Sequence, residues 1–262
     1  MIREIAGVGD YNACPFHERA FMSEDRLFSS DGAGDSPFEF NEAVAAVFPD
    51  MLKRSIPGYA ASILTIGSLA RRYVRPDTRC FDLGCSLGAA TLAMRHNIAE
   101  PGCHIQAIDN SAAMIGRCRN IIDGDDALVP VDVIAGDVRE ADIQNASMVV
   151  MNYTLHFLPV SDRDAMIRNI CRGMNDGGIF VLSEKIEDND GKIEDLLVDL
   201  HHEQKNRNAY SASEIDRKRA AIESVLIPER LETHYQRLSG AGFSHVGVWL
   251  RHFNFVSLVA FK

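Results

Sequence analysis

The residues best placed to do chemistry lie in the run Phe81-Asp82-Leu83-Gly84-Cys85-Ser86-Leu87-Gly88-Ala89-Ala90-Thr91-Leu92. Its pattern predicts a buried strand over residues 80–83, a turn of small residues over 84–88, and a helix that starts within that turn. Glycine lets backbone approach a ligand closely, and a helix N-terminus offers unpaired N–H groups. Together they suit the pocket of a nucleoside-bearing cofactor. A Gly-x-x-x-Gly turn alone is a weak signal; the acid-ended strands that follow it make it a strong one.

The first of these, Cys103-His104-Ile105-Gln106-Ala107-Ile108-Asp109-Asn110-Ser111, places Asp109 about 25 residues after Gly84, where a doubly wound fold sets its ribose-binding carboxylate. A carboxylate accepts several hydrogen bonds and donates none, so it can take both ribose hydroxyls. The competing role for Asp109 is N-cap of the next helix, over residues 112–122, although Ser111 can serve there instead. The second, Val131-Asp132-Val133-Ile134-Ala135-Gly136-Asp137-Val138, ends in Gly-Asp. Asp137 there can accept from an adenine amino group while the Val138 N–H reaches a ring nitrogen; a plain turn aspartate is the alternative. A further apolar strand over residues 147–152 ends in Asn152, pointing into the crevice beyond the strand carboxyl ends.

Stepping from these residues to the elements that hold them, strands and helices alternate from Cys80 to Leu182, which predicts a parallel sheet. Asn175-Asp176-Gly177-Gly178 reads as the turn into a fifth strand over 179–182. Residues 245–250 and 254–261 alternate and pair as a reversed terminal hairpin. The acid-ended strands, the hairpin and the lack of Gly-x-Gly-x-x-Gly favour S-adenosylmethionine over a nicotinamide cofactor. The expected fold is α/β: a doubly wound, Rossmann-like methyltransferase sheet, mostly parallel with an antiparallel C-terminal hairpin strand. A charge-rich helical insertion over about 186–228 precedes that hairpin. Residues 1–40 read as a largely loop or disordered N-terminal extension, and 41–262 as the cofactor-binding domain. Helical patterning runs over 42–52 and 60–73, and Tyr59, in the turn between, either lies over the cofactor or packs on the core.

The chain of 262 residues, 46% apolar, can bury one large core. Its formal charge of −10 argues against a broad nucleic-acid surface, though not against a local basic pocket. The six cysteines lack metal-ligand spacing and read as reduced, buried thiols, so no metal is expected. Neither a membrane-spanning run nor an apolar leader is visible, and the expected location is cytoplasmic. In the insertion, the adjacent His201 and His202 point to different helix faces and are no metal pair; Arg217-Lys218-Arg219 is either a solvated face or part of a site.

The blocks Val47-Phe48-Pro49-Asp50-Met51, Ile56-Pro57-Gly58-Tyr59, residues 81–90, 107–111, 145–155 and 181–185 closely resemble the bacterial carboxy-S-adenosyl-L-methionine synthase (CmoA) family. His201-His202, Tyr210-Ser211, Lys218-Arg219, Glu232-Thr233-His234 and Phe253-Asn254-Phe255 extend the likeness from about Met22 to Lys262. Generic methyltransferases share the Gly84 loop but not these insertion blocks. Family members begin near Met22, so residues 1–21 are either an extension or an upstream start assigned in error.

The resemblance implies a reaction in which prephenate carboxylates the methyl carbon of S-adenosylmethionine, releasing phenylpyruvate and water. The product then feeds a tRNA carboxymethyltransferase that modifies wobble uridine. Carried over by position, the cofactor contacts are Tyr59, Gly84, Cys85, Ser86, Asp109, Asn110, Asp137, Val138 and Asn152. In a homodimer, Arg219 reaches the new carboxylate from the neighbouring subunit and is the one catalytic residue implied. No direct nucleic-acid or membrane contact is implied. A methyl on sulfonium is slightly acidic, and prephenate supplies both base and carbon dioxide as it fragments, so no protein base is demanded. The rivals are an ordinary S-adenosylmethionine-dependent methyltransferase, acting on a small molecule or tRNA, and a non-catalytic cofactor-binding subunit.

Overall fold

In a computed structural model, residues 24–29, 38–223 and 225–262 are described. Helices α1 (Glu42–Ser55) and α2 (Tyr59–Tyr73) precede an alternating run: β1 (Arg79–Leu83), α3 (Ala89–Arg95), β2 (His104–Asp109), α4 (Ala112–Asp123), β3 (Val131–Ala135), β4 (Ala146–Asn152), α5 (Val160–Gly173) and β5 (Met174–Glu187). The insertion supplies α6 (Gly191–Arg207) and α7 (Ala212–Glu223). A short β6 (Glu229–Arg230), α8 (Leu231–Ala241), β7 (His245–His252) and β8 (Phe255–Phe261) complete the chain.

The strands lie in the order β3-β2-β1-β4-β5-β8-β7, with β6 beside the end of β5. From β3 to β5 they are parallel; β8 runs antiparallel between β5 and β7. This is the doubly wound sheet with a reversed terminal hairpin that the alternation implied. Strand periodicity divides the core between two faces. Cys80, Ile105, Met148, Val150 and Val181 meet Ile63, Ile66 and Ala70 of α2 and Met94 of α3. Phe81, Leu83, Val149, Met151, Phe180 and Leu182 meet Met166, Ile167 and Ile170 of α5 and Leu238 of α8. Central parallel strands buried on both faces read as continuous apolar runs, which is why 147–151 carried no alternation.

Several boundaries depart from the sequence expectation. The helix after Gly84 begins only at Ala89, because Gly88 at φ +84° is its left-handed cap. Strand β5 begins at Met174, not Ile179: Gly177 at φ +77° turns the chain inside the strand, and pairing with β4 shifts register between Ala146 and Met148. Tyr59 is the first residue of α2. Strand β6 and helix α8 had no assignment. Of the N-terminal stretch, residues 24–29 and 38–40 contain no helix or strand, yet Asp25 and Phe38 are buried. The two readings of residues 1–21 fall outside the described residues, as does Cys14; the five described cysteines are free and buried.

The insertion is tied down by a buried polar knot. Arg54 Nε donates to the Asn208 carbonyl at 2.7 Å, Asn208 Nδ2 donates back to the Arg54 carbonyl at 3.0 Å, and the Arg54 guanidinium lies 3.8 Å from the Tyr210 ring centre. Lys218 Nζ donates to Asp25 Oδ2 at 3.2 Å and to Ser55 Oγ at 2.9 Å, while the Tyr210 hydroxyl donates to Asp25. At the far end, the fully buried Arg163 donates to the carbonyls of His156 at 3.1 Å and Ile227 at 2.9 Å, and pairs with Glu229 at 2.6 Å. Such pairs fix geometry more than they stabilise. Here they hold the α6–α7 end of the insertion against α1 and Asp25, and the chain entering β6 against α5.

Candidate functional site

Asp137, Asp109, Asp82 with Gly84, and Asn152 follow one another across β3, β2, β1 and β4, at or beside the strands' carboxyl ends. The strand order reverses between β1 and β4, where open α/β sheets bind their ligands. The Gly84 and Cys85 N–H groups both donate to the Ile108 carbonyl, at 2.8 and 3.0 Å, folding the turn over the end of β2. Gly84 takes φ +82°, and a Cβ there would run into the Thr154 side chain; only glycine fits.

Asp109 is the hub of the site. Its Oδ2 accepts from the Ser86 N–H and its Oδ1 from the Ser111 N–H, each at 2.9 Å. Burial raises its pKa, and these amide donors oppose that rise. The cap of α4 is Ser111, whose Oγ accepts from the Met114 N–H at 3.2 Å, so Asp109 is not the cap. Each Asp109 oxygen thus keeps acceptor capacity for a ligand hydroxyl. Asn110 beside it is exposed, and Cys85 is buried.

Asp137 caps a short helical turn, accepting from the Arg139 N–H at 2.9 Å. The Arg139 side chain also grips it, from Nε at 3.0 Å and Nη2 at 2.5 Å, and reaches Asp162 at 2.5 Å. Hydrogen bonding from Arg139 holds the Asp137 carboxyl below its usual range. The turn-aspartate role therefore holds, and it leaves a fixed, ionised acceptor at the edge of the site. Val138 is buried directly after it.

Asn152 closes β4, and its Oδ1 is buried without a hydrogen-bond partner among the described residues. The next residue, Tyr153, takes φ +61°, a strained conformation for an aromatic side chain, as does Ser86 at φ +50° in the facing loop. The two residues stand on either side of the β1/β4 reversal. The Tyr153 ring lies 6.4 Å from Tyr59 and 6.0 Å from Phe255, and Phe255 stacks edgewise on His201 at 4.9 Å. These aromatics form one wall of the crevice. Arg219, exposed on α7, stands on the insertion, apart from the other nine candidates; its charge acts on His202 and Lys205.

Sequence reasoning passed over Asp82. It is buried, accepts from Thr91 Oγ1 at 2.6 Å, and its pKa rises from 3.8 to about 6, chiefly through burial. A lone charged residue inside an otherwise apolar strand was the available signal. His201 was weighed in the sequence only as a metal ligand, not as a wall residue. Its Nε2–H donates to the Ser55 carbonyl at 2.8 Å, and burial drives its pKa from 6.5 down to about 3, so it is a neutral wall residue.

Comparisons with known proteins agree with this geometry. A methyltransferase-domain family model matches residues 81–178. Human N-acetylserotonin methyltransferase, solved with its S-adenosylmethionine, superposes with a TM-score of 0.56 at 17% identity, over 90% of this chain and 57% of that one. A putative O-methyltransferase from Nostoc punctiforme gives 0.58 at 17% identity, over 84% and 59%. Those likenesses concern the fold alone. At sequence level, the carboxy-S-adenosyl-L-methionine synthase of Escherichia coli K12 is 52% identical over 238 residues, 91% of this chain and 96% of that protein. The synthase of Klebsiella pneumoniae strain 342 is 50% identical over the same span. Sharing half its residues with these enzymes along nearly their whole length, the chain belongs to the carboxy-S-adenosyl-L-methionine synthase family.

Proposed function

We infer that the protein converts S-adenosylmethionine and prephenate to carboxy-S-adenosylmethionine, phenylpyruvate and water. The observation that carries this reading is the convergence of the Gly84 turn, Asp109 and Asn152 on the strand-order reversal, in a chain half identical to such synthases. The residues fit the substrate. Asp109 takes the ribose hydroxyls, Asp137 and the Val138 N–H take the adenine edge, and the backbone of Gly84, Cys85 and Ser86 approaches the amino-acid portion. Asn110 flanks the ribose, Tyr59 covers the nucleoside, and the orphaned Asn152 Oδ1 gains a donor. The buried Asp82, costly to ionise by itself, suits a substrate carrying two positive groups.

Bound S-adenosylmethionine supplies a methyl group made acidic by its sulfonium, and prephenate supplies the carboxyl group. What remains for the chain is to hold both and to exclude water from the reacting carbon. The aromatic wall of Tyr59, Tyr153 and Phe255 does the second. A guanidinium from Arg219 fits the new carboxylate with two parallel bonds.

The finer assembly is part of the proposal. Helix α6 carries Ile193, Leu196, Leu197 and Leu200 at i, i+3, i+4 and i+7, yet His201 alone among its residues is buried. Ile193 and Leu196 are 43% and 51% exposed. An apolar stripe of that period is a packing face, and a second copy covering it would bring Arg219 to the neighbouring site. The product then passes to a tRNA carboxymethyltransferase. Mass spectrometry of the nucleoside formed from S-adenosylmethionine with and without prephenate tests the reaction: a prephenate-dependent carboxylated sulfonium supports it, and unchanged S-adenosylmethionine overturns it.

A further inference from the structure

Although the chain carries a formal charge of −10, cations gather beside the aromatic wall. Lys205 stands one helical turn after His201 on α6, hence on the same helix face. His201 is fixed against Phe255 and the Ser55 carbonyl, so that face looks onto the crevice. Lys185 on β5 stands directly opposite Phe255 of β8, so the two side chains share one face of the sheet; the buried Glu184 before it points the other way. From α7, Lys218 and Arg219 bear on the same point. Lys218 has Asp25 as partner, whereas Lys205 has no ion-pair partner among the described residues.

The electrostatics agree with the geometry. Lys205 falls from 10.5 to about 7, through burial first and then the charges of Lys218, Lys185 and Arg219. The groups acting on His201 are likewise cationic: Lys205, Lys185 and His202. Acidic residues, Asp199 and Asp216, bear on His202 on the outer side of the cluster. A half-buried ammonium facing three like charges is costly to leave bare. An anion seated there would relieve it.

We propose that Lys205, with Lys185 beside it, anchors a carboxylate of the second substrate, the dianion prephenate, whose ring then lies along Phe255 and Tyr153. This rests on the synthase reading and adds to it the residue that selects a dianionic partner over a neutral one. Arg219 serves the carboxylate that is transferred; Lys205 serves the one that stays on the leaving phenylpyruvate. Because Lys205 is only partly protonated in the free protein above neutrality, prephenate binding there takes up a proton.

Isothermal calorimetry of prephenate at pH 8, in Tris and in HEPES, reads both affinity and proton uptake on the full chain with S-adenosylhomocysteine present, which occupies the nucleoside site but has no methyl group to carboxylate. Wild type should show proton uptake. Lys205→Met should raise the prephenate Kd and KM at least tenfold, with S-adenosylmethionine affinity changed less than twofold. Lys205→Arg should keep most of the affinity while abolishing the uptake, because a guanidinium stays charged. Equal prephenate affinity in Lys205→Met, or unchanged uptake in Lys205→Arg, overturns the assignment while leaving the synthase reading intact. Failure of wild type to bind prephenate at all removes both.

Discussion

The Ser86 N–H donates to Asp109 Oδ2 at 2.9 Å, tying the turn after β1 to the end of β2. One carboxylate thereby sets the shape of the loop and keeps acceptor sites facing the crevice. Asp109→Ala should cost at least tenfold in S-adenosylmethionine affinity, since each charge-assisted bond is worth about 1.5–3 kcal/mol. Helix α4 should survive, because Ser111 is its cap. Calorimetry and circular dichroism check the two parts, and unchanged affinity would remove Asp109 from the ribose.

Arg219→Ala should weaken carboxylated product far more than S-adenosylmethionine, which lacks the extra anion. Loss of a bidentate charge-assisted contact costs on the order of 2–3 kcal/mol. Arg219→Lys should recover part of that, since an ammonium lacks the planar fork. If the residue crosses a dimer interface, mixing Arg219→Ala chains with Asp109→Ala chains should restore activity through hybrid dimers. Competition binding of the two sulfonium compounds checks the first point; equal losses for both contradict it.

Asp82 carries a pH signature. Its folded pKa, about 6, exceeds the ordinary 3.8, so the folded state holds the extra proton between those values and stability falls as pH rises through that window. Asp82→Asn keeps a Thr91 partner and removes the ionisation cost. The variant should gain up to about 3 kcal/mol over wild type above pH 6, shrinking to nothing near pH 4. Melting temperatures across that range test it; a gain independent of pH would show another cause.

His201 works with the opposite sign. Unfolded, it protonates near 6.5; folded, only near 3, so it withdraws stability as pH falls below 6.5. His201→Gln can still donate to the Ser55 carbonyl without titrating. Relative to its value at pH 7.5, the variant's stability against wild type should improve by about 2 kcal/mol at pH 5. Urea melts at the two pH values measure this, and an unchanged difference would mean the ring titrates normally.

Much of the candidate site was legible because each of its acids and Asn152 stands at or just beyond the end of a β-branched or apolar strand. Asp109 was placed by counting from Gly84, Asp137 and Asn152 by the ends of their own strands, and the sheet's alternation by the same apolar runs. Asp82 was not, because the lone acid in its apolar run marks the position but only the fold shows its full burial and its bond from Thr91. Helix α8 escaped because its helical period is broken by polar residues that pack inward, such as Arg237, whose side chain is only 6% exposed and pairs with Asp164 at 2.7 Å and Glu229 at 2.8 Å. Lys205 looked like one charge in a charged helix; only the fold brings Lys185 and Lys218 to it from elements 20 and 13 residues away.

The central claim is tested most directly by incubating the purified protein with S-adenosylmethionine and prephenate carrying ¹³C in its ring carboxyl group, then resolving the products by mass spectrometry. The account predicts a labelled carboxy-S-adenosylmethionine formed together with phenylpyruvate, and none when prephenate is left out. Recovery of S-adenosylmethionine alone, or of S-adenosylhomocysteine from an ordinary methyl transfer, would contradict it.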